Sequence, residues 1–220
     1  MAILGTLISF QVIDFCGINV AKIADKEFNE INSQELWFEP TDVHKAAKAF
    51  QTDLWKTISV ASPNLNELRT MISEIDPGDQ EYSELAPEME AWFLSKKLLA
   101  QSPSLTLLVT LGPRGVLVVR HSGPEEPFFI PRDRIDANTE LSARLYPALP
   151  PPSEANLNES GAGDCLAAGV IARALRGCSE TQAIAGGLAA ALASLVSPYA
   201  VPDKFPDPHI IDKAPYHKIS

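Results

Sequence analysis

The chain has 220 residues, of which 45% are hydrophobic, and its formal net charge is −10. This length and apolar content are enough for one domain with a hydrophobic core, and nothing in the composition is typical of a disordered, collagen-like or coiled-coil chain. The negative charge argues against a binding surface for DNA, RNA or anionic lipid, because their phosphates would be repelled at long range. A small phosphate site at a helix N-terminus stays compatible with this charge.

Strand-like and helix-like stretches alternate along the first part of the chain. The apolar, uncharged segment 2–13 predicts a buried strand, because it lacks the basic residues of a signal peptide and is too short to span a bilayer. Further strands are predicted at 36–38 and 58–61. Helices are predicted at 16–31, from Thr41 or Asp42 onwards, and at 64–75.

The second part of the chain contains three predicted strands and three predicted helices. The strands lie at 105–110, 116–120 and 128–130. An acidic stretch at 74–90 predicts a solvated loop, with Pro87 in a first-turn position. The helices follow at 88–100, 161–176 and 179–197, and the Pro-rich segment 131–157 is predicted to be irregular.

Strands that alternate with helices predict an α/β fold, a doubly wound and mostly parallel sheet with helices on both faces. The chain shows no internal repeat and no clear boundary, so residues 1–220 are predicted to form a single domain. In such sheets, ligands bind beyond the carboxyl ends of the strands. Motifs at those positions are therefore the candidates for function.

The strongest motif is the segment from Asn158 to Asp164 (NESGAGD), which opens an amphipathic helix. Its two glycines allow a ligand to approach the backbone closely, and a helix start offers free N–H groups and a positive dipole end. This pattern suits an anion hole for a phosphoryl group, and Asp164 could take a proton from a hydroxyl nucleophile. A Ser-capped helix with an acidic first turn explains the same residues equally well.

Other motifs for phosphate, nucleophile or metal chemistry are absent from the sequence. There is no GxxxxGK[ST] and no GxSxG. The dinucleotide fingerprint needs a third glycine where Leu166 stands, and so a dinucleotide-binding function ranks low. The four histidines form no pair at metal-ligand spacing.

Three further segments follow predicted strands. Asn64 and Glu67 stand at the start of a helix, where they suit either a capping box or a magnesium and phosphate site. Segment 110–115 (TLGPRG) suits either an ordinary turn or a turn beside a ligand. Segment 39–42 (EPTD) ends the strand at 36–38.

These four segments, in this order, resemble the motifs of the PfkB (ribokinase-like) carbohydrate kinases over about residues 34–200. GAGD matches the second family signature in full, while Asn158 and Glu159 depart from its usual Asp and Thr. The segment EPTD departs from the Asp-Pro-Asn-like strand end of many members, which leaves a role for Glu39 or Asp42 in doubt. The strings WFEPTDV and SPNLNELR resemble most the kinase half of animal pseudouridine-metabolising proteins.

The resemblance implies an ATP-dependent and magnesium-dependent phosphotransferase that acts on a hydroxyl of a sugar or nucleoside. It implies that Asp164 is the catalytic base and that the anion hole consists of Gly161, Ala162 and Gly163. It places Thr110, Gly112 and Gly115 beside the nucleotide phosphates. It associates Asn64 and Glu67 with magnesium through water.

Members of the family are longer at the N-terminus, where a lid and most of the sugar pocket are built. No counterpart precedes residue 34, so we expect a partial kinase domain that lacks this part and the lid. The alternative to an active kinase is therefore a truncated, weak or inactive nucleotide-binding isoform or subunit. We expect a small-molecule substrate, no nucleic-acid or membrane partner, and allow for a homodimer.

The cysteines bear on the compartment. Cys16, Cys165 and Cys178 are odd in number and form no CxxC pair, which favours a reduced, cytoplasmic location.

Overall fold

The computed structural model describes residues 9–13, 34–78, 84–131, 134–135, 139–153, 156–205 and 212–219. The predicted helix at 16–31 and the first part of the predicted strand at 2–13 lie outside these residues. The described residues contain a seven-stranded sheet in which spatial order follows chain order. Its strands are β1 (Ser9–Ile13), β2 (Gln34–Phe38), β3 (Val60–Ala61), β4 (Thr106–Thr110), β5 (Val116–Arg120), β6 (Ser142–Tyr146) and β7 (His217–Ile219).

The sheet has a parallel half and an antiparallel half. Strands β1 to β4 pair in parallel, with Trp37 opposite Val60 and Val60 opposite Thr106. Strands β5, β6 and β7 continue the sheet in antiparallel pairs. The carboxyl ends of β2, β3 and β4 therefore meet at one edge, together with the beginning of β5 and the end of β6.

Five α-helices cover the sheet within the described part of the chain. They are α1 (Val43–Phe50), α2 (Leu65–Ile75), α3 (Pro87–Gln101), α4 (Ala162–Ala174) and α5 (Glu180–Leu195). Alternate strand residues face opposite layers, as the pleat requires. Phe38, Leu107 and Leu117 pack with α1 to α3, whereas Trp37, Leu108 and Val118 pack with α4 and α5. The predicted sheet with helices on both faces is thus confirmed.

The start of α5 is anchored by a buried ionic cluster. Glu180 is fully buried and accepts hydrogen bonds from Arg144 Nε (2.6 Å) and Tyr146 Oη (2.6 Å). Arg120 lies 3.5 Å from the same carboxylate. Burial, assisted by the Glu180 charge, raises the pKa of Tyr146. Because α5 packs along α4, this cluster fixes the layer that carries the GAGD segment.

One strand prediction was wrong, and two strands were not predicted. The segment 128–130 is not a strand, because the Arg120 guanidinium takes the carbonyls of Phe128 (2.7 Å) and Pro127 (2.9 Å) that a ladder would need. The antiparallel strand lies instead at β6, inside the stretch predicted to be irregular, and β7 adds an edge strand near the C-terminus for which no prediction was made. No helix among the described residues is long and apolar enough to cross a membrane.

Candidate active site

Three of the predicted segments meet at the carboxyl edge of the parallel strands. Glu39 follows β2, Asn64 follows β3, and the turn at 111–115 follows β4. The Thr110 amide donates to the Pro63 carbonyl at 2.9 Å, and Asn64 and Thr110 form a parallel bridge. The structure therefore brings two of the segments into direct contact, as expected for neighbouring parallel strands.

The start of α2 is a closed capping box. The Glu67 amide donates to Asn64 Oδ1 (3.0 Å), and the Asn64 amide donates to Glu67 Oε2 (2.8 Å). Burial raises the pKa of the Glu67 carboxyl, and the hydrogen bond from Asn64 opposes that shift. The capping interpretation of this segment is correct, and Glu67 retains its second carboxylate oxygen for a further partner.

The turn after β4 contains two glycines in the left-handed region. Gly112 has φ +57° and open space beside it, whereas Gly115 has φ +103° and lies so close to the Tyr146 carbonyl that a Cβ would collide. Arg114 of the same turn is exposed and pairs with Glu88 at 3.2 Å. Gly115 thus locks the turn onto β6, while Gly112 leaves its backbone accessible from outside.

The start of α4 differs from that of α2, because no side chain caps it. Gly161 is the N-cap residue, has φ +81° and leaves no room for a Cβ next to the Ala200 carbonyl. The Ala162 amide makes a long bond of 3.4 Å to the Glu159 carbonyl. The amides of Gly163 and Asp164 meet no acceptor in the part of the chain that the structure describes, and space is open beside Gly163.

The segment beyond α5 holds this uncapped turn in place. The Asn158 amide donates to the Leu195 carbonyl (2.8 Å), and Ser194 Oγ donates to the Ala200 carbonyl (2.8 Å). Cys165 is buried, with its thiol 3.6 Å from the same Ala200 carbonyl. Asp164, by contrast, is exposed. The segment after α5 therefore fixes the turn before α4. The Gly163 amide and the Asp164 side chain stay on the exposed side of this turn.

The pKa of Glu39 responds to acids on both α2 and α4. Burial, which is the largest cause, and the charges of Glu67 and Asp164 raise the pKa of this carboxyl to about 7. Hydrogen bonds from Ser62 and Trp37 oppose the shift. The charged groups of the α2 start (Glu67) and of the α4 start (Asp164) therefore both act on the carboxyl that follows β2.

Asp42 has both a capping and an electrostatic role. It is the N-cap of α1 and accepts from the Lys45 amide at 2.9 Å, which lowers the pKa of its carboxyl. Its charge also contributes to the raised pKa of Glu67. Of the two predicted caps for this helix, Asp42 is therefore correct; Thr41 has φ +59° and accepts instead from Lys45 Nζ (2.8 Å).

The residues available for a metal ion are oxygen donors. Among the described residues, no three His, Cys, Asp or Glu side chains converge as a metal-binding group. Glu67 and Asn64 are engaged with each other, which fits an ion held through water rather than by direct coordination.

Sequence reasoning missed Ser62 and Trp37, which hold Glu39. The signal was their position at the ends of two neighbouring strands, since β2 and β3 place Trp37 beside Val60, two residues before Ser62.

A shallow, open depression lies at the opposite edge of the sheet. Ser59, Thr106, Arg120 and Phe128 are among its lining residues, and none of the predicted site residues contributes to it. We therefore place the candidate site at the carboxyl edge, where the motifs and the acids converge.

Comparisons with known proteins show what the chain is similar to. The chain is 26% identical over 204 residues to a pseudouridine kinase from Arabidopsis thaliana, an alignment that covers 79% of this chain and 53% of that protein. No protein-family model matches the chain.

Solved structures share the fold at low sequence identity. A putative sugar kinase from Clostridium perfringens matches with a TM-score of 0.63 and 12% identity, over 96% of this chain and 56% of that one. A ribokinase from Cryptococcus neoformans in complex with ADP matches with a TM-score of 0.57 and 20% identity, over 77% and 50% of the two chains. The chain thus spans about half the length of these relatives.

Proposed function

We propose that this chain, a relative of the ribokinase-like (PfkB) carbohydrate kinases, transfers a phosphoryl group from ATP to a hydroxyl of a sugar or nucleoside. One observation carries the proposal. The start of α4 leaves the amides of Gly163 and Asp164 without an acceptor among the described residues, beside the exposed carboxylate of Asp164. An anion site and a base are thereby held at the edge where ligands bind in such sheets.

The proposed anion hole consists of the backbone at Gly161, Ala162 and Gly163. Helix-start amides donate to the oxygens of the transferring phosphoryl group, and the helix dipole adds to this stabilisation. The long bond from Ala162 to Glu159 is weak enough to exchange for a stronger acceptor. The open space beside Gly163 lets a phosphate oxygen approach the backbone closely.

Asp164 is the proposed catalytic base. As the acceptor oxygen attacks the terminal phosphorus of ATP, its proton passes to the Asp164 carboxylate, and the bond from phosphorus to the bridging oxygen breaks to release ADP. The carboxylate is exposed and follows directly on the proposed anion hole, so it can face both the hydroxyl and the phosphate. Positioning and electrostatics supply most of the rate in this kind of reaction.

The turn at Thr110, Gly112 and Gly115 is the proposed contact to the remaining phosphates. Gly112 offers accessible backbone there, and the bridge from Thr110 to Asn64 keeps the turn next to α2. Magnesium, held through water by Asn64 and Glu67, would neutralise phosphate charge. The amide and carboxylate oxygens of these two residues suit such an outer-shell role, because the capping box already fixes their orientation.

The acceptor is proposed to be a ribose-like sugar or a nucleoside such as pseudouridine. The support is the similarity to a pseudouridine kinase and to a ribokinase. Because the chain spans about half of these relatives, a second function is weighed against turnover. In that alternative, the chain binds nucleotide and phosphorylates an acceptor only weakly, or only when a second subunit completes the acceptor pocket.

A binding experiment followed by an assay on the same sample separates these functions. Calorimetric titration with ATP and magnesium should show binding in the native chain and in Asp164→Asn. Phosphorylation of pseudouridine and ribose should then occur in the native chain and fall by about 10³-fold or more in Asp164→Asn, because the base is lost. Undiminished turnover by the variant would refute the base, and binding without any turnover would favour the nucleotide-binding alternative.

A matched control guards against a general effect of removing an acid. Glu125→Gln removes an exposed charge that pairs with Lys213, outside the segments proposed to bind the nucleotide. Its turnover should stay close to that of the native chain. Absence of ATP binding in all three proteins would overturn both candidate functions.

A further inference from the structure

We propose that Ser194, a fully buried serine in the last turn of α5, is a positioning residue for the start of α4. Its hydroxyl holds the Ala200 carbonyl against Gly161 and so keeps the proposed anion hole in a shape that binds phosphate. The inference rests on the proposed function for the identity of that ligand. Sequence reasoning did not single out Ser194, because it lies outside every short motif.

The Ser194 hydroxyl makes one good hydrogen bond. Its Oγ donates to the Ala200 carbonyl at 2.8 Å, whereas the Ser160 carbonyl lies 3.4 Å away. A serine hydroxyl has a single hydrogen, so the shorter contact takes it and the longer one is secondary. Because burial removes this hydroxyl from water, the bond to Ala200 is what satisfies it.

The segment 196–200, which follows α5, depends on this bond for its contact with α4. Its local bonds fold it only onto itself: the Ser197 amide donates to the Ser194 carbonyl (3.0 Å), and the Tyr199 amide donates to Ser197 Oγ (3.1 Å). In the described part of the chain, two side chains reach the Ala200 carbonyl. Ser194 makes the stronger contact, and the Cys165 thiol makes the weaker one at 3.6 Å.

The Ala200 carbonyl packs directly on the residue that begins α4. Gly161 has φ +81°, and a Cβ built on it would lie 2.2 Å from the Ala200 oxygen. The Gly161 carbonyl accepts from the Cys165 amide at 2.9 Å in the first hydrogen bond of the helix. The Ala200 carbonyl therefore limits where Gly161 can lie, and with it the amides of Gly163 and Asp164.

Helix α5 gives Ser194 a fixed base. At its start, Glu180 pairs with Arg144 at 2.6 Å in the buried ionic cluster. Along its length, α5 approaches α4 so closely that a Cβ on Gly169 would lie 2.7 Å from the Gly186 carbonyl. Because α5 is held at its start and along α4, the position of its last turn is set, and Ser194 passes that position on to Ala200.

This link matters for phosphate because helix-start amides stabilise an oxyanion only while they point at the same place. If the Ala200 carbonyl moves away, Gly161 loses the contact that limits its backbone. The amides that follow it then pay an ordering cost when a phosphate binds. Loss of the Ser194 hydroxyl should therefore weaken phosphate binding, although Ser194 itself is not proposed to touch the phosphate.

Amide hydrogen exchange, followed by NMR on the free protein, tests the link without any ligand. In Ser194→Ala, the Cys165 amide should exchange about fivefold faster than in the native chain, because the turn that it closes opens more often. The Ala183 amide, which donates to the Ser179 carbonyl at 2.8 Å at the other end of α5, is the internal reference. Its rate should stay unchanged, whereas a general loss of stability would raise both rates.

Ser95→Ala is the matched control variant. Ser95 is also a fully buried helix serine, but it lies on α3, and its Oγ meets no hydrogen-bond partner among the described residues. Its removal should leave the Cys165 exchange rate as in the native chain. An unchanged rate in Ser194→Ala, or equal acceleration in Ser95→Ala, would overturn the positioning role.

Ser194→Thr tests whether the hydroxyl is the active group. It keeps the donor and should return the Cys165 exchange rate towards that of the native chain. A folded Ser194→Thr that exchanges as fast as Ser194→Ala would contradict the proposal. If the extra methyl group of threonine prevents folding, the comparison of Ser194→Ala with Ser95→Ala still decides.

Calorimetry with magnesium and nucleotide tests the consequence for binding. ATP affinity should fall by about five- to tenfold in Ser194→Ala and stay unchanged in Ser95→Ala. The loss should be smaller for ADP, which lacks the phosphoryl group that the anion hole is proposed to hold. Equal losses for ATP and ADP would refute a role at this group.

The two measurements also separate this inference from the proposed function. If exchange at Cys165 accelerates only in Ser194→Ala but none of the proteins binds ATP, the proposed function fails, and the role in phosphate binding fails with it. If the native chain and Ser194→Ala bind ATP equally well, the proposed function stands and this inference fails.

Discussion

The two helix starts at the candidate site solve the same backbone problem in opposite ways. Helix α2 satisfies its first amides with its own side chains, through the reciprocal bonds of Asn64 and Glu67 at 2.8 and 3.0 Å. Helix α4 begins at Gly161, which has no side chain to cap it, and leaves the amides of Gly163 and Asp164 without an acceptor among the described residues. Buried or fixed helix starts normally find partners for these donors.

The start of α5 provides a second comparison, because it lies outside the candidate site and is capped by side chains. Ser179 and Gln182 form a capping box there, with the Ser179 amide donating to Gln182 Oε1 at 3.1 Å. Side chains cap the first amides of α2 and α5. No side chain caps α4, which begins at Gly161 and carries the exposed Asp164 in its first turn. Under the proposed function, a bound anion, which the helix dipole favours, is the acceptor for the free amides of α4.

The largest effect on the free energy of unfolding is expected from adding a side chain at Gly161, the residue that begins α4. Gly161→Ala should lower the free energy of unfolding by about 3 kcal/mol, because alanine is strained at positive φ and its Cβ would collide with the Ala200 carbonyl. Gly177→Ala is the matched control, with φ +75° but open space, and should cost about 1 kcal/mol. Denaturant unfolding measures both. Equal costs would show that contact with the 200 region does not hold the turn.

A smaller loss of unfolding free energy is expected from removing the side-chain cap of α2. Asn64→Ala should cost about 1 kcal/mol, because it removes the side-chain half of the capping box, and Ser179→Ala should cost a similar amount at α5. Glu67→Gln keeps an oxygen to accept from the Asn64 amide, and should stay within about 0.5 kcal/mol of the native chain. A large loss of turnover in this stable variant would assign a role beyond capping to the Glu67 charge.

Local patterns explain why much of the fold could be predicted from the sequence. Helical spacing of apolar residues identified α1 to α5, and the runs at 105–110 and 116–120 became β4 and β5. Strand β6 was missed because it lies inside the Pro-rich segment 131–157, and nothing local in the sequence shows that its central Arg144 is buried. It is buried only because Glu180, 36 residues later, pairs with it at 2.6 and 2.7 Å.

The candidate site also has a part that short local motifs predict and a part that depends on residues distant in the sequence. The features of Gly161 and Asp164 are local to one turn, so seven letters of sequence were enough to single them out. The group of Trp37, Ser62 and Glu39 depends on the register of β2 against β3, which no short motif encodes. Their proposed roles in catalysis stay predictions, whereas their positions around one edge follow from the described structure.

The smallest effect on stability, and the sharpest test of the open helix start, is expected at Gly163. Because space is open beside it and its backbone is helical, Gly163→Ala should leave the free energy of unfolding unchanged or raise it by about 0.5 kcal/mol. The added methyl group would nevertheless stand where a phosphate oxygen must approach the amides. ATP affinity, measured by calorimetry, should therefore fall by about tenfold or more.

The reverse exchange on the same helix provides the control. Ala168 is exposed on α4 one turn further on, and Ala168→Gly should cost about 0.5 to 1 kcal/mol of stability while ATP binding stays unchanged. Opposite signs for the two variants cannot arise from a general loosening of α4, since the variant that loses affinity is the one that gains stability. If Gly163→Ala binds ATP as the native chain does, the amides of α4 are not the phosphate site, and their missing cap needs another explanation.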